Sequence, residues 1–147
     1  MQLNLLDHIH RLKIQPGSGG RVIWDIIRKK WVPYTPEEMV RQLTVLYLIE
    51  QKGISAGLIA VEKEVRLDKK IKRCDIIVYN AVHIPSMIIE CKSPDVKLDQ
   101  KVISQVVRYN QALDAKQLVA VNGLEYLVFE KGIAGKYRSI ENNEDGT

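Results

Sequence analysis

The chain contains 147 residues, of which 46% are hydrophobic and 27% are charged. This length corresponds to one domain with short extensions, which can bury a core without disulfides or a structural metal. The composition excludes disordered, collagen-like and disulfide-rich proteins. No apolar segment approaches the roughly 18 residues that a membrane-spanning helix needs, and the N-terminus lacks the pattern of a signal peptide. We therefore expect a cytoplasmic protein without a membrane partner, in which Cys74 and Cys91 are reduced.

The formal net charge of +4 is too small by itself to identify a DNA-binding protein. Its distribution is more informative, because basic residues cluster at positions 28–30 and 69–73. Such clusters attract phosphate backbones regardless of base sequence. They also occur on ordinary solvated surfaces, so charge alone does not decide between the two interpretations.

Turn and alternation signals predict a β-hairpin near the start of the chain. Residues 10–15 alternate polar and apolar side chains, residues 16–20 form the turn sequence Pro-Gly-Ser-Gly-Gly, and residues 21–24 resume as a strand. These glycines lack the Gly-Lys-Ser/Thr ending of a phosphate-binding loop. We expect residues 1–34 to form this hairpin and a linker, packed on the core.

Residues 35–135 carry the signals of an α/β core. Thr35, Pro36 and Glu38 provide an N-cap, a first-turn proline and a capping box for a helix that should end near residue 52. Strands are predicted at 59–67, 73–79, 87–92, 118–121 and 126–130, and a second helix, capped by Asp99, at 100–113. The short links favour antiparallel neighbours among the first three strands. The order predicts a central mixed sheet flanked by helices, followed by a frayed polar tail at 136–147.

The residues that carry chemistry are Asp75, Glu90 and Lys92. Side chains two positions apart on a strand share a face, so Glu90 and Lys92 point the same way. If the preceding strand pairs with theirs, Asp75 and Glu90 can share a metal ion. Mg²⁺ prefers such oxygen ligands, and a lysine beside it can polarise a water or stabilise the charge that develops during phosphodiester hydrolysis.

A structural ion pair explains the same three residues without catalysis. The surrounding sequences, Ile-Ile-Val at 76–78 and Ile-Ile at 88–89, are very apolar. Charged side chains placed there need a cation or an opposite charge to offset the cost of desolvation. The spacing alone does not distinguish a metal site from an ion pair at a sheet edge.

Longer motifs surround these residues. They read Arg-Cys-Asp-Ile-Ile-Val-Tyr at 73–79, Ile-Ile-Glu-Cys-Lys-Ser-Pro at 88–94 and Gln-Val-Val-Arg-Tyr-Asn at 105–110. Together they resemble the PD-(D/E)XK nuclease superfamily. More narrowly, they are similar to the N-terminal nuclease domain of type I restriction enzyme R subunits, the HSDR N-terminal family. The similarity extends from about residue 20 to 130 and includes residues 22–25, 35–42 and 121–123.

The resemblance implies a restriction-endonuclease-like αβββαβ core and a set of roles. Asp75 and Glu90 would bind Mg²⁺, for which Mn²⁺ can substitute, and Lys92 would be the catalytic lysine. Gln105, together with Tyr109, would orient DNA or the active site. The resemblance also implies a further glutamate from the first helix.

Three glutamates compete for this additional role. Glu38 suits the capping box with Thr35, and Glu37 suits an i,i+4 pair with Arg41, so each also has an ordinary structural explanation. We favour Glu37 as a catalytic residue and third metal ligand. Glu62, on the first strand of the core, is a more distant candidate.

Basic and polar side chains at positions 101, 105 and 108 share one face of the second helix. That pattern fits a surface along a phosphate backbone, and it equally fits the solvent side of an amphipathic helix. The candidate DNA contacts are Lys72, Arg73, Lys101, Arg108 and Tyr109.

The leading hypothesis is a Mg²⁺-dependent DNA endonuclease, and the alternative is a non-catalytic nucleic-acid-binding or assembly module that retains the fold. The resemblance implies an ATP-dependent motor, whereas this sequence contains no P-loop. We therefore expect a motor or restriction-modification subunit as a partner, beside DNA; a homo-oligomer is compatible with the sequence. No helix-turn-helix or zinc motif predicts base-specific recognition.

Overall fold

The computed structural model describes residues 4–132 and 135–140, which form a three-stranded and a six-stranded β-sheet with α-helices packed against them. The strands are β1 Ile14–Gly17, β2 Gly20–Asp25, β3 Lys30–Pro33, β4 Ile59–Leu67, β5 Lys70–Tyr79, β6 Pro85–Cys91, β7 Gln117–Val121, β8 Tyr126–Lys131 and β9 Tyr137–Ile140. The α-helices are α1 Pro36–Glu50 and α2 Gln100–Leu113, and 3₁₀ turns occur at Leu5–Arg11 and Ala56–Leu58. Among these described helices, none is long and apolar enough to cross a membrane.

The N-terminal sheet contains the predicted hairpin and one additional strand. β1 pairs with β2, and β2 with β3, both antiparallel. The segment predicted as a linker contains β3, because Val32 is buried beside Ile23 in the core beneath α1. Asp25, which is fully buried, accepts hydrogen bonds from the backbone N–H groups of Ile27 and Arg28 and closes the turn between β2 and β3.

The first helix begins where the capping signals predict. The Thr35 hydroxyl accepts a hydrogen bond of 2.9 Å from the backbone N–H of Glu38, and Pro36 occupies the first turn. The Glu38 carboxylate binds side chains further along the helix, so only half of the expected capping box is formed. One broad side of α1 is buried against the six-stranded sheet, in agreement with its wide apolar stripe.

The six-stranded sheet has the order β4-β5-β6-β7-β8-β9. β6 and β7 are parallel, and every other neighbouring pair is antiparallel. The predicted mixed sheet is confirmed, and α2 forms the crossover that a parallel pair requires. α1 covers one face of the sheet and α2 the other, so two apolar cores lie on opposite sides of it.

The last described strand lies in the segment predicted to be a polar tail. β9 pairs with β8, and the Tyr137 hydroxyl accepts a hydrogen bond of 2.8 Å from the Asn110 side chain on α2. This tertiary contact orders residues that lack a local signal. The rest of the predicted tail, residues 141–147, lies outside the described residues.

Candidate active site

Asp75 and Glu90 come together on neighbouring strands. β5 and β6 are in register at Ile76 and Ile89, where their pairing ends, and Asp75 and Glu90 are the next residues on the two strands. The two residues are only 8% and 6% exposed. Burial, and then the charge of Asp75, raises the pKa of Glu90 to about 8. The two carboxyl groups are therefore close enough to repel each other when both are ionised.

Asp75 is held by two hydrogen bonds from different elements. The backbone N–H of Cys91 donates to its Oδ2 at 2.8 Å, and the Arg41 guanidinium donates to its Oδ1 at 3.2 Å. Burial raises the pKa of Asp75 even though both donors stabilise its charged form. The carboxylate has a fixed orientation, and each oxygen retains a lone pair for another ligand.

Lys92 lies directly beyond β6, beside Glu90. Its backbone N–H donates to the carbonyl of Val121 at 2.9 Å, which continues the parallel ladder. Its ammonium nitrogen is 3.3 Å from Oε2 of Glu90. Burial acts to lower the pKa of Lys92, but the charge and hydrogen bond of Glu90 outweigh it, so the pKa is raised. Asp75, Glu90 and Lys92 thus lie together, as predicted. The contact between Lys92 and Glu90 is also the one that a purely structural ion pair would make.

Arg41 is the component that the sequence reasoning missed. It is 5% exposed on α1, and its guanidinium donates to carboxylates from three elements, namely Glu38, Glu62 and Asp75. Burial opposes its charge, but these three carboxylates together raise the pKa of Arg41. The available signal was an arginine on the apolar side of a helix, since a buried cation needs carboxylate partners.

At Glu62, the buried side chains of β4 change from the face of the sheet beneath α1 to the face beneath α2. Val61 packs beneath α1, whereas Val65, which regular alternation would place on the same side, packs beneath α2. Glu62 has a left-handed φ of 53°, which interrupts the alternation. Opposite it on β5, the two neighbours of Asp75 also pack in different cores. The carboxylates of Glu62 and Asp75 therefore lie outside both apolar cores, where they accept hydrogen bonds from Arg41.

The two candidate glutamates of α1 have different surroundings. Glu38 is buried and binds Arg41 and Gln42, with Arg28 3.7 Å away. The expected i,i+4 pair between Glu37 and Arg41 is replaced by this i,i+3 pair with Glu38. Glu37 is half-buried, and its charge contributes to raising the pKa of both Asp75 and Lys92. Glu38 therefore belongs to the supporting network, while Glu37 is the less buried of the two.

Comparison with protein families decides the identity of this domain. The family described as type I restriction enzyme R protein N terminus (HSDR_N) matches residues 36–142. The chain belongs to this family. Its general fold is that of the PD-(D/E)XK nuclease superfamily, as expected, and the family supports a restriction nuclease-like domain. No curated protein and no solved structure matches the chain. The matched region starts at α1, so the N-terminal sheet precedes it.

The donor set in this family member suits Mg²⁺. Within residues 4–132 and 135–140, no three His, Cys, Asp or Glu side chains form a group that could hold a metal ion. Mg²⁺ does not require such a group, since it is often bound by one or two carboxylates, with water and substrate phosphates completing its shell. Asp75 and Glu90 supply two carboxylates whose mutual repulsion a divalent cation would relieve. Glu37 lies near them without completing a three-residue cluster.

Four of the predicted DNA contacts line one cleft between α2 and the end of the β4–β5 hairpin. The cleft has a volume of about 370 Å³, and its walls include Lys72, Lys101, Arg108 and Tyr109. Gln105 also lines it, and its amide donates to the Tyr109 hydroxyl at 3.4 Å. Burial is the main cause of the raised pKa of Tyr109, which packs in the core beneath α2 together with Cys74, the chain neighbour of Asp75.

The fifth predicted DNA contact lies apart from this cleft. Arg73 is exposed, and its guanidinium is 3.5 Å from Oε2 of Glu62. It therefore connects the hairpin surface to the network around Arg41. The two cysteines are free and buried, and burial raises the pKa of Cys74 to about 12, in agreement with inert core positions.

Proposed function

We propose that this domain is a Mg²⁺-dependent DNA endonuclease that hydrolyses phosphodiester bonds, with Mn²⁺ as an alternative cofactor. The observation that carries the proposal is the buried pairing of Asp75 and Glu90 on adjacent strands, with the Lys92 ammonium 3.3 Å from Glu90. This arrangement occurs in a chain of the type I restriction enzyme R N-terminal family. A structural role alone would not require two buried carboxylates to face each other.

The residues of the chain have separable roles in this reaction. Asp75 and Glu90 would hold the cation, and Glu37 would join them directly or through water. When bound, Mg²⁺ supplies Lewis acidity toward the phosphodiester and makes water a better nucleophile at neutral pH. The Lys92 ammonium stabilises the negative charge that develops on phosphorus-bound oxygens. Arg41 and the backbone N–H of Cys91 keep Asp75 in one orientation.

The basic cleft supplies substrate contacts in the same proposal. Lys72, Lys101 and Arg108 bind the phosphate backbone without reading bases. Gln105 and Tyr109, which line the cleft and are joined by a hydrogen bond, would position the strand to be cut. We further propose that the domain acts with other restriction-modification subunits, one of which supplies the motor.

A cleavage assay with matched lysine variants tests the proposal. Supercoiled plasmid is incubated with the wild type, Lys92→Ala or Lys97→Ala, in Mg²⁺, Mn²⁺ or EDTA. We expect nicking or cutting that needs the metal, disappears in Lys92→Ala and persists in Lys97→Ala, which removes an exposed lysine nearby. Calorimetric Mn²⁺ titration of Glu90→Gln should show weaker binding than the wild type. Metal-independent cleavage, or full activity of Lys92→Ala, would contradict the assigned roles.

A non-catalytic DNA-binding or assembly module is the second candidate function. The contacts of Lys92 with Glu90 and of Arg41 with Asp75 favour it, because they give both buried acids polar partners without a metal. It predicts that Lys92→Met folds as stably as the wild type or better, that no variant has activity to lose, and that EDTA leaves DNA binding unchanged. The cleavage and titration experiments therefore separate the two candidates.

A further inference from the structure

β4 and β5 extend beyond the six-stranded sheet as a two-stranded ribbon. β5 pairs with β6 only through residues 76–79, whereas its pairing with β4 extends from Lys70 to Val78. Residues 63–74, which we call the β4–β5 ribbon, thus pair only with each other. A two-residue turn at Asp68 and Lys69 closes the ribbon, with Asp68 in the left-handed region at φ 55°.

The ribbon carries the entire formal excess of positive charge. It contains six basic and two acidic residues, hence +4, which equals the formal net charge of the whole chain. These charged residues are Lys63, Glu64, Arg66, Asp68, Lys69, Lys70, Lys72 and Arg73. The rest of the chain is therefore formally neutral, so a polyanion is attracted to this element in particular.

One side of the ribbon is anchored and its tip is exposed. Val65 and Leu67 are buried in the core beneath α2, which holds the ribbon against that helix. Ile71, beside the turn, is 55% exposed. An exposed apolar side chain flanked by lysines can contact the thymine methyl group that the major groove presents.

The space between the ribbon and α2 is lined by cations from both elements. A second cleft of about 290 Å³ adjoins the first, and the two share Leu67, Lys72 and Arg108. Lys101 lines the first cleft, and Lys70 lines the second. Together the two clefts form a cationic channel between ribbon and helix that extends as far as Tyr109.

We propose that the β4–β5 ribbon enters the major groove of duplex DNA, with one phosphate strand in the channel between the ribbon and α2. The major groove, about 12 Å wide, admits a two-stranded ribbon, whereas a single strand offers no groove. This inference rests on the proposed function only in placing the cut strand beside Glu90. It specifies the ribbon tip as the element that contacts the duplex.

Binding measurements test this inference independently of cleavage. The Lys92→Met variant, which should bind DNA without cutting it, is titrated in Mg²⁺ and followed by fluorescence anisotropy. The labelled probes are a duplex, its single strand, and the same duplex with glucosylated 5-hydroxymethylcytosine. The glucose fills the major groove and leaves the phosphates intact. We expect the glucosylated duplex and the single strand to bind roughly tenfold more weakly than the plain duplex. Ile71→Ser should reduce the discrimination against glucose, whereas Ile84→Ser, with the same 55% exposure, should not.

Salt dependence tests the lysines at the tip. Lys69→Ala combined with Lys70→Ala removes two phosphate contacts, so the slope of log affinity against log salt should fall by about 1.8. Lys52→Ala combined with Lys116→Ala removes the same charge from exposed positions outside both basic clusters and should leave the slope unchanged. Circular dichroism confirms that each variant is folded.

Two results would overturn the ribbon inference: equal affinity for the plain and glucosylated duplexes, or a salt slope unaffected by the Lys69 and Lys70 substitutions. If metal-dependent cleavage is seen alongside either result, the proposed nuclease stands and the ribbon inference fails. If the binding results are as expected but no metal-dependent cleavage occurs, the ribbon inference stands and the proposed nuclease fails.

Discussion

The buried carboxylate pair predicts that the metal-free protein loses stability as the pH rises from about 5 to about 8. Burial and the charge of Asp75 raise the pKa of Glu90 from 4.5 to about 8. Between these values the folded state retains a proton that the unfolded chain has already lost, so the free energy of unfolding decreases with pH. The difference between 4.5 and about 8, at about 1.4 kcal/mol for each step of pH, amounts to roughly 5 kcal/mol.

Urea denaturation in EDTA across this pH range measures the effect. Glu90→Gln should remove most of the pH dependence and be more stable than the wild type at the upper end, because the amide stays neutral. Glu64→Gln, at an exposed position on β4, should retain the wild-type profile. Saturating Mg²⁺ should flatten the wild-type profile, since a bound cation favours the ionised carboxylates. A constant or rising free energy of unfolding for the wild type in EDTA would refute this reasoning.

Three further substitutions test the buried polar network and one turn by urea denaturation at neutral pH. Arg41→Met leaves three carboxylates without their shared cation and should cost about 3–5 kcal/mol; wild-type stability would show that the cation is dispensable. Asn110→Leu removes the side chain that hydrogen-bonds the backbone N–H and carbonyl of Ala115, at a cost of about 2–4 kcal/mol; a smaller loss would mean that water replaces both bonds. Gly123→Ala places a Cβ 2.9 Å from a leucine side chain at φ 94°, and should cost about 1–2 kcal/mol. Gly19→Ala, where a Cβ meets nothing within 4 Å, is its control and should be nearly neutral.

The elements with local signals were predictable. α1 begins at the Thr35 cap and Pro36 because capping depends on neighbouring residues alone. Asp99 caps α2 in the same way, its side chain accepting from the N–H groups of Lys101 and Val102. β3 and β9 were not predicted, because the burial of Val32 and the contact of Tyr137 depend on distant parts of the chain.

The residue types of the candidate site and the proximity of Asp75, Glu90 and Lys92 were predictable, whereas the surrounding network was not. The spacing of Glu90 and Lys92 on a strand places their side chains on one face, and the structure brings Asp75 beside them. The partners of Arg41 were not accessible in this way, since Glu62 and Asp75 reach it from two other elements. The roles of Asp75, Glu90 and Lys92 in metal binding and catalysis remain predictions that the experiments above test.

The sequence by itself determined where the helices begin, where most strands lie, and that Asp75, Glu90 and Lys92 are the candidate site residues. Each of these depends on a few neighbouring positions. Only the tertiary structure decided that Arg41 neutralises the acidic network and that β4 and β5 continue past the sheet as a basic ribbon. The first depends on contacts that residues of β4 and β5 make with α1, and the second on where β5 stops pairing with β6. Both join residues far apart in the chain, so no local pattern of side chains encodes them.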